Sequence, residues 1–223
     1  MPGGAKDPTT IFPGREERPA RILLFRHGAA DDSGDGRFIS RTDKGLIPEG
    51  EEQVRSAAGR AWGWVEGASG VSVHSSPLLR ARESAEILRR ELALPPPGEA
   101  PRIVDELIEL DLGRWEGETY GSLMEKEPER LRAHYANFVR SRAPEGESLM
   151  DLARRVRPAL RRIREAAAGG AAIVVAHAAV NRVIVLDALG APLRNFFRIE
   201  LGFASLCVVD YHGDAPLVRL ING

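Results

Sequence analysis

Short apolar runs that break off in polar residues, with helical stretches between them, constrain this chain more than any other feature. Ile22-Leu23-Leu24-Phe25 ends in Arg26-His27-Gly28, Val71-Ser72-Val73 runs into His74-Ser75-Ser76, and Ala171–Ala176 runs into His177. A brief apolar run bounded by turn residues reads as a buried strand. Between them lie helical stretches at 51–65 and 78–92, the second opened by Ser76-Pro77 as cap and first position and closed by Pro95-Pro96-Pro97-Gly98. Ile103-Val104 predicts a third short strand, and 119–140 one or two helices broken near Pro128. Leu149, Leu152, Val156, Leu160, Ile163 and Ala167 recur at spacings of three or four, one face of a helix with Pro158 as the place for a bend. A helix over 178–189 follows the fourth strand, and strands at 206–211 and 217–221 pair around His212-Gly213-Asp214. Strands alternating with helices predict an α/β fold, a three-layer α/β/α arrangement on a mostly parallel central sheet. The reading is a tail over 1–20 and one domain over 21–223.

Composition narrows the function classes. The 223 residues carry 31 basic and 32 acidic side chains, a formal net charge of −1, without the excess of positive charge that a general nucleic-acid or membrane-surface binder carries. Only Lys6, Lys44 and Lys126 are lysines, so 28 of the basic residues are arginines and a single arginine in a motif says little. The acidic stretch 105–129 and the arginine-rich stretch 130–164 read as mutually compensating solvated faces. Cys207 is the single cysteine, which excludes an intrachain disulfide and reads as a small buried strand residue. No apolar run reaches the length of a membrane span and the first residues lack a secretion-signal pattern, so the expected location is the cytoplasm.

The five histidines carry more information. In an open α/β sheet, ligands bind beyond the carboxyl ends of the strands. There the first strand delivers Arg26 and His27, the second delivers Ser75 and Ser76 with Arg80 one helical turn later, and the fourth delivers His177 ahead of a helix N-terminus that favours an anion. Two histidines and two arginines at one edge make a phosphate site with a nucleophile inside it. Arginine forks neutralise a phosphate monoester. A neutral imidazole attacks phosphorus, and a carboxylic acid protonates the departing oxygen. His74 reads as a strand-end histidine, and His134 and His212 as surface residues.

In order, Leu24-Phe25-Arg26-His27-Gly28, Ser75-Ser76-Pro77-Leu78-Leu79-Arg80-Ala81, Leu107-Ile108-Glu109 through Gly113-Arg114-Trp115-Glu116-Gly117, Gly146-Glu147-Ser148 and Val174-Val175-Ala176-His177 resemble the motifs of the histidine phosphatase superfamily, the phosphoglycerate mutase-like group. The resemblance implies a metal-free and cofactor-free phosphatase acting on a small phosphate ester. In it His27 is the nucleophile, Glu109 the proton donor, and His177, Arg26 and Arg80 the phosphate pocket. Arg37, Asp43, Leu46 and Gly50 match the stretch the family has after its first histidine, which makes Arg37 a further substrate-binding candidate. Glu147 is read either as orienting a pocket arginine or as sitting at a helix start. The segment 119–142 is expected to lid the site. The ending Phe197-Arg198-Ile199-Glu200 through Cys207-Val208-Val209-Asp210-Tyr211 resembles the α-ribazole phosphatase branch, which implies α-ribazole 5′-phosphate as substrate.

The departures are local. Where the family has an acidic residue, a threonine and then a phosphate-touching asparagine, this chain has Ala29, Ala30 and Ser33, and after His177 it has Ala178 and Ala179 in place of a glycine pair. Ser33 keeps one hydroxyl donor and Ala178 a backbone amide for the phosphate. Three alternatives stand beside the phosphatase: mutase-type phosphoryl transfer, disfavoured by the short stretch from Glu109 to His177; a non-catalytic phosphate-binding module; and a metal site on His27, His177 and Glu109, disfavoured by the flanking arginines. No nucleic-acid or membrane partner is expected, and a homodimer stays open.

Overall fold

The computed structural model describes residues 18–30, 36–94 and 100–223. Residues 1–17 of the expected tail, Ser33 and the proline run at 95–97 lie outside the described residues. Six strands form one sheet in the order β3-β2-β4-β1-β5-β6. The strands are β1 (Ala20–Arg26), β2 (Val71–Ser75), β3 (Arg102–Ile103), β4 (Ala171–Ala176), β5 (Leu206–His212) and β6 (Ala215–Leu220). The first four are parallel to one another, while β5 pairs antiparallel with β1 and β6 antiparallel with β5. This is the three-layer, mostly parallel architecture the alternation predicts.

The period-two side-chain alternation of β1 divides the core. Ile22 and Leu24 face helices α5 (Leu149–Ala166) and α6 (Ala178–Ala188), where Leu152, Val156, Val180 and Ile184 are buried. Leu23 and Phe25 face α1 (Pro48–Val65) and α2 (Leu79–Glu91), where Val54, Ala57, Ala81, Ala85 and Leu88 are buried. All four of these β1 side chains are 0–1% exposed, so a one-residue slip of β1 would exchange both core faces at once. A smaller cluster, Trp115, Leu123, Leu131 and Ala143, lies with α3 (Tyr120–Lys126) and α4 (Pro128–Ala136).

Several elements differ from the sequence reading. Strand β1 already includes Ala20, paired with Tyr211, so the predicted tail stops short of it. Helix α1 starts at Pro48, ahead of the predicted 51, because proline suits a first position and Glu49 and Glu51 complement the helix dipole there. The Ser76-Pro77 cap does not form as predicted. Leu78 is the N-cap of α2, and the amide of Leu79 is answered by Asp43 Oδ1 at 2.5 Å. The region 119–140 does break at Pro128 into α3 and α4, and α5 runs through Pro158 as one element. On α5, Arg162 pairs with Glu106, Arg157 with Asp187 and Arg164 with Asp214. Cys207 is buried in β5. No described helix is long and apolar enough to cross a membrane.

Candidate active site

Parallel pairing of β1 with β4 puts Arg26 opposite Ala176, so His27 and His177 leave the sheet side by side. The exit is stitched by backbone: His27 N–H donates to Ala176 O at 3.1 Å, and Ser76 N–H to Val175 O at 2.9 Å. The two imidazoles stand edge to face with centroids 5.1 Å apart, close to the ~4.8 Å spacing of neighbouring strands. Immediately past His27 the chain crosses the first turn of α1 so tightly that a Cβ on Gly28 would lie 2.2 Å from Gly50 O, and one on Gly50 would lie 2.0 Å from Ala29 O. Both positions require glycine.

His27 is 6% exposed, and its Nδ1 lies 2.7 Å from Gly28 O. A carbonyl can only accept, so Nδ1 carries the proton and Nε2 keeps its lone pair. Arg80 Nε donates to that Nε2 at 3.2 Å. Burial, then Arg80 and Arg26, push the His27 pKa well below the usual imidazole value, which keeps the ring neutral. His177, fully buried, is held low by burial and by His27, Arg80 and Arg26, and its Nε2 lies 2.7 Å from Ser76 Oγ.

The arginines are held from behind. Arg80, 2% exposed, gives NH1 to Thr42 O at 2.7 Å and NH2 to Ser40 O at 2.6 Å. Those two residues are fixed in turn by Glu116, whose carboxylate accepts from the amides of Ser40, Arg41 and Thr42 at 2.8–2.9 Å. Burial pushes the Glu116 carboxyl up, but these amides outweigh it and hold the pKa at about 2. Arg26 donates NH1 to Leu201 O at 2.8 Å and lies 3.8 Å over the Phe203 ring. Burial, with Arg182 and Arg80, lowers it to about 10 against the pull of Glu109.

Glu109 reaches the start of α6: Oε2 accepts from Ala179 N–H at 3.3 Å and Oε1 from Leu110 N–H at 2.7 Å. Burial raises its pKa above the usual carboxyl value despite those amides and the nearby Arg80 and Arg26. Its backbone is clamped by Arg155, which donates NH2 to Glu109 O at 3.0 Å and NH1 to Glu106 O at 2.5 Å. Glu147 grips Arg155 through both oxygens at 3.0 and 2.9 Å and also meets Arg41 at 3.2 Å. Glu147 thus orients an arginine, but one behind the Glu109 loop.

The remaining candidates lie elsewhere or touch the site differently. Arg37 is exposed, with NH1 donating to Gly117 O at 2.7 Å beside its bridge to Thr119. Ala178 opens α6 at the site edge. His74 is buried with Nε2 3.0 Å from Ser72 Oγ, and burial, helped by Arg102, lowers its pKa to about 4. His134, predicted on the surface, is 5% exposed: α4 turns that face toward Trp115, 4.8 Å away between centroids.

The far wall takes His134, Tyr135 and Phe138 from the segment 119–142 expected to lid the site, and joins to them rings that the sequence reading did not connect with it. A cavity of about 210 Å³ borders the site at Glu109, Ala178 and Ala179 and is lined on its other sides by Trp115, His134, Tyr135, Phe138, Phe196 and Phe197, with Arg182. The aromatic pair at 196–197 carries no local signal that joins it to the rings of that segment, about 60 positions earlier.

A family model described as histidine phosphatase superfamily (branch 1) matches residues 22–223. The bifunctional protein Rv2228c of Mycobacterium tuberculosis H37Rv is 35% identical over 211 residues, which cover 94% of this chain and 55% of that one. The chain therefore spans about half the length of such relatives. An Escherichia coli protein named probable phosphoglycerate mutase GpmB is 31% identical over 192 residues, 86% of this chain and 85% of that one. The crystal structure of the alpha-ribazole phosphatase from Shigella flexneri has the same fold, with TM-score 0.77 at 22% identity over 91% of this chain and 96% of that one.

Proposed function

The chain belongs to the histidine phosphatase superfamily, and from that premise we propose that it is a phosphomonoesterase working through a phosphohistidine at His27. One observation carries the reading: Gly28 O holds the proton of His27 on Nδ1, so the Nε2 lone pair is the nucleophile. Nε2 attacks phosphorus as the bond from phosphorus to the ester oxygen breaks, and the Glu109 proton goes to that oxygen, releasing the alcohol. Water then attacks the phosphohistidine and gives its proton to the Glu109 carboxylate. The P–N bond breaks, and its electron pair returns to Nε2. Arg80 passes its hydrogen bond from Nε2 to a phosphate oxygen, Arg26 and His177 bind others, and the Ala178 amide at the start of α6 faces the same charge. Burial of Glu109 favours the protonated form that the first step needs, and the lowered His27 stays neutral for it.

A panel of phosphate esters that includes α-ribazole 5′-phosphate and 3-phosphoglycerate, run with wild type and His27→Ala, tests this. The expected result is inorganic phosphate release by wild type, an acid-labile phosphoryl group on His27, and neither in the variant. Undiminished release by His27→Ala overturns the mechanism. Likeness to a protein named as a phosphoglycerate mutase favours one second reading, phosphoryl transfer between positions of one acid, and interconversion of 2- and 3-phosphoglycerate in the same panel would establish it.

A further inference from the structure

The aromatic cavity has no role in the phosphoryl chemistry, yet it shares Glu109 and the first turn of α6 with it. Phe138 stands at its centre. Its centroid is 4.5 Å from Phe197, 5.4 Å from Phe196 and 5.2 Å from His134, and it stacks on Tyr135 at an interplanar angle of 11°. The rings continue outward to the surface: Tyr135 lies 6.1 Å from Phe197 and 6.0 Å from Tyr120, and the three are 40, 59 and 53% exposed. Contiguous exposed rings leading into a lined cavity mark a binding surface for apolar matter. Among the described residues the cavity's charged lining side chains are Glu109 and Arg182. Arg182 is already engaged, with Nε donating to Ile199 O at 2.8 Å, its guanidinium 5.0 Å over Phe196, and Glu109 and Glu200 answering its charge. A hydroxyl-rich or carboxylate-bearing alcohol would face rings that offer it few partners. A cavity of about 150 Å³ accepts benzene, so this one has room for a substituted or fused ring.

We propose that the alcohol half of the substrate is an uncharged, ring-bearing group that seats on Phe138 and Phe197 while its phosphate meets His27. This rests on the phosphomonoesterase reading, since it places the ester oxygen beside Glu109 between the two subsites.

The test compares kcat/KM for benzyl phosphate and 2-naphthylmethyl phosphate with that for glycerol 3-phosphate and 3-phosphoglycerate, all esters of alkyl alcohols. The ring-bearing esters are expected to lead by about 10- to 100-fold, the discrimination typical of an apolar pocket. Phe138→Ala is expected to cut that ratio at least about 10-fold, and Phe138→Leu to restore part of it. Phe197→Ala, at a position 59% exposed, gives the same readout if the Phe138 variant does not fold. Measurable hydrolysis in which glycerol 3-phosphate or 3-phosphoglycerate equals or beats the ring-bearing esters overturns the proposal and leaves the phosphatase standing. Calorimetric titration with benzylphosphonate and 2-hydroxyethylphosphonate separates the two claims when nothing is hydrolysed. Tighter binding of the benzyl compound by about 10-fold or more then supports the ring subsite while the phosphatase reading fails, and equal binding overturns the subsite as well.

Discussion

At one end of the site, His27, His177 and Arg26 sit on or just past the ends of two hydrogen-bonded strands, and Arg80 opens the helix after a third. At the other end, the rings come from α4, the turn after it, and the segment Leu193–Arg198, which meet through side chains. The first region is positioned by backbone and most of its polar atoms are answered by partners, Arg26 Nε and His177 Nδ1 being the exceptions. The second is positioned by packing and has few polar groups to satisfy. The difference fits the division proposed between chemistry and selectivity: a nucleophile must be held to a fraction of an ångström, whereas an apolar subsite needs shape and can be assembled from remote pieces.

If the two ends are separable in this way, losses at the first should be large for every ester and losses at the second should change rankings. The largest effect is expected for His27→Ala, a fall in kcat on the order of 10⁴-fold or more, read by phosphate release. Glu109→Gln should cost about 10²- to 10⁴-fold with alkyl esters. It should also change the pH profile. On the proposed mechanism wild-type activity should fall as pH drops through the lowered His27 pKa, because the imidazolium has no lone pair. It should fall again as pH rises through the raised Glu109 pKa, because the carboxylate has no proton to give. Glu109→Gln should erase the upper limb and keep the lower one, and a profile of unchanged shape would remove Glu109 from the proton transfer.

Arg155→Ala tests whether the backbone clamp on Glu109 matters to chemistry. The expected outcome is a loss of about 10-fold in kcat with little change in KM, since Glu109 shifts while the phosphate-binding groups stay. A KM effect alone would assign Arg155 to the cavity instead. The smallest effect is thermodynamic. Glu116→Ala should cost about 1–2 kcal/mol of stability, measured by urea unfolding at neutral pH. The folded pKa near 2 lies below the ordinary carboxyl value of 4.5, so this contribution is full above 4.5 and is lost as pH falls toward 2. Wild type and variant should therefore converge in stability at low pH.

The same contrast explains what the sequence makes legible. Strand β4 lies where its apolar run predicts, and the residue types at three strand exits mark the end proposed for phosphate, because a buried strand and its exit are local patterns. The alternative roles of Glu147 could not be separated, since Arg155 reaches it from the next helix and both serve the backbone of Glu109. Ser76 reads locally as a helix cap, but besides accepting from Leu78 N–H its hydroxyl lies against His177, a partner 101 positions away. His134 shows the limit most simply. On a short helix a lone histidine does not reveal which face is covered, and here Trp115 and Phe138 cover it. Arg182 and Phe203 acquire their positions only from segments that the sheet brings near.

The amide of His27, bonded to Ala176 O inside the central strand pair, has a consequence for how the molecule comes apart. Hydrogen exchange at that amide, and at Ser76 beside it, should require opening of the whole sheet, whereas amides of α3 and α4 can exchange through local fluctuations that leave the strands intact. On warming, the molecule should therefore forget which alcohol it prefers before it forgets how to attack a phosphate.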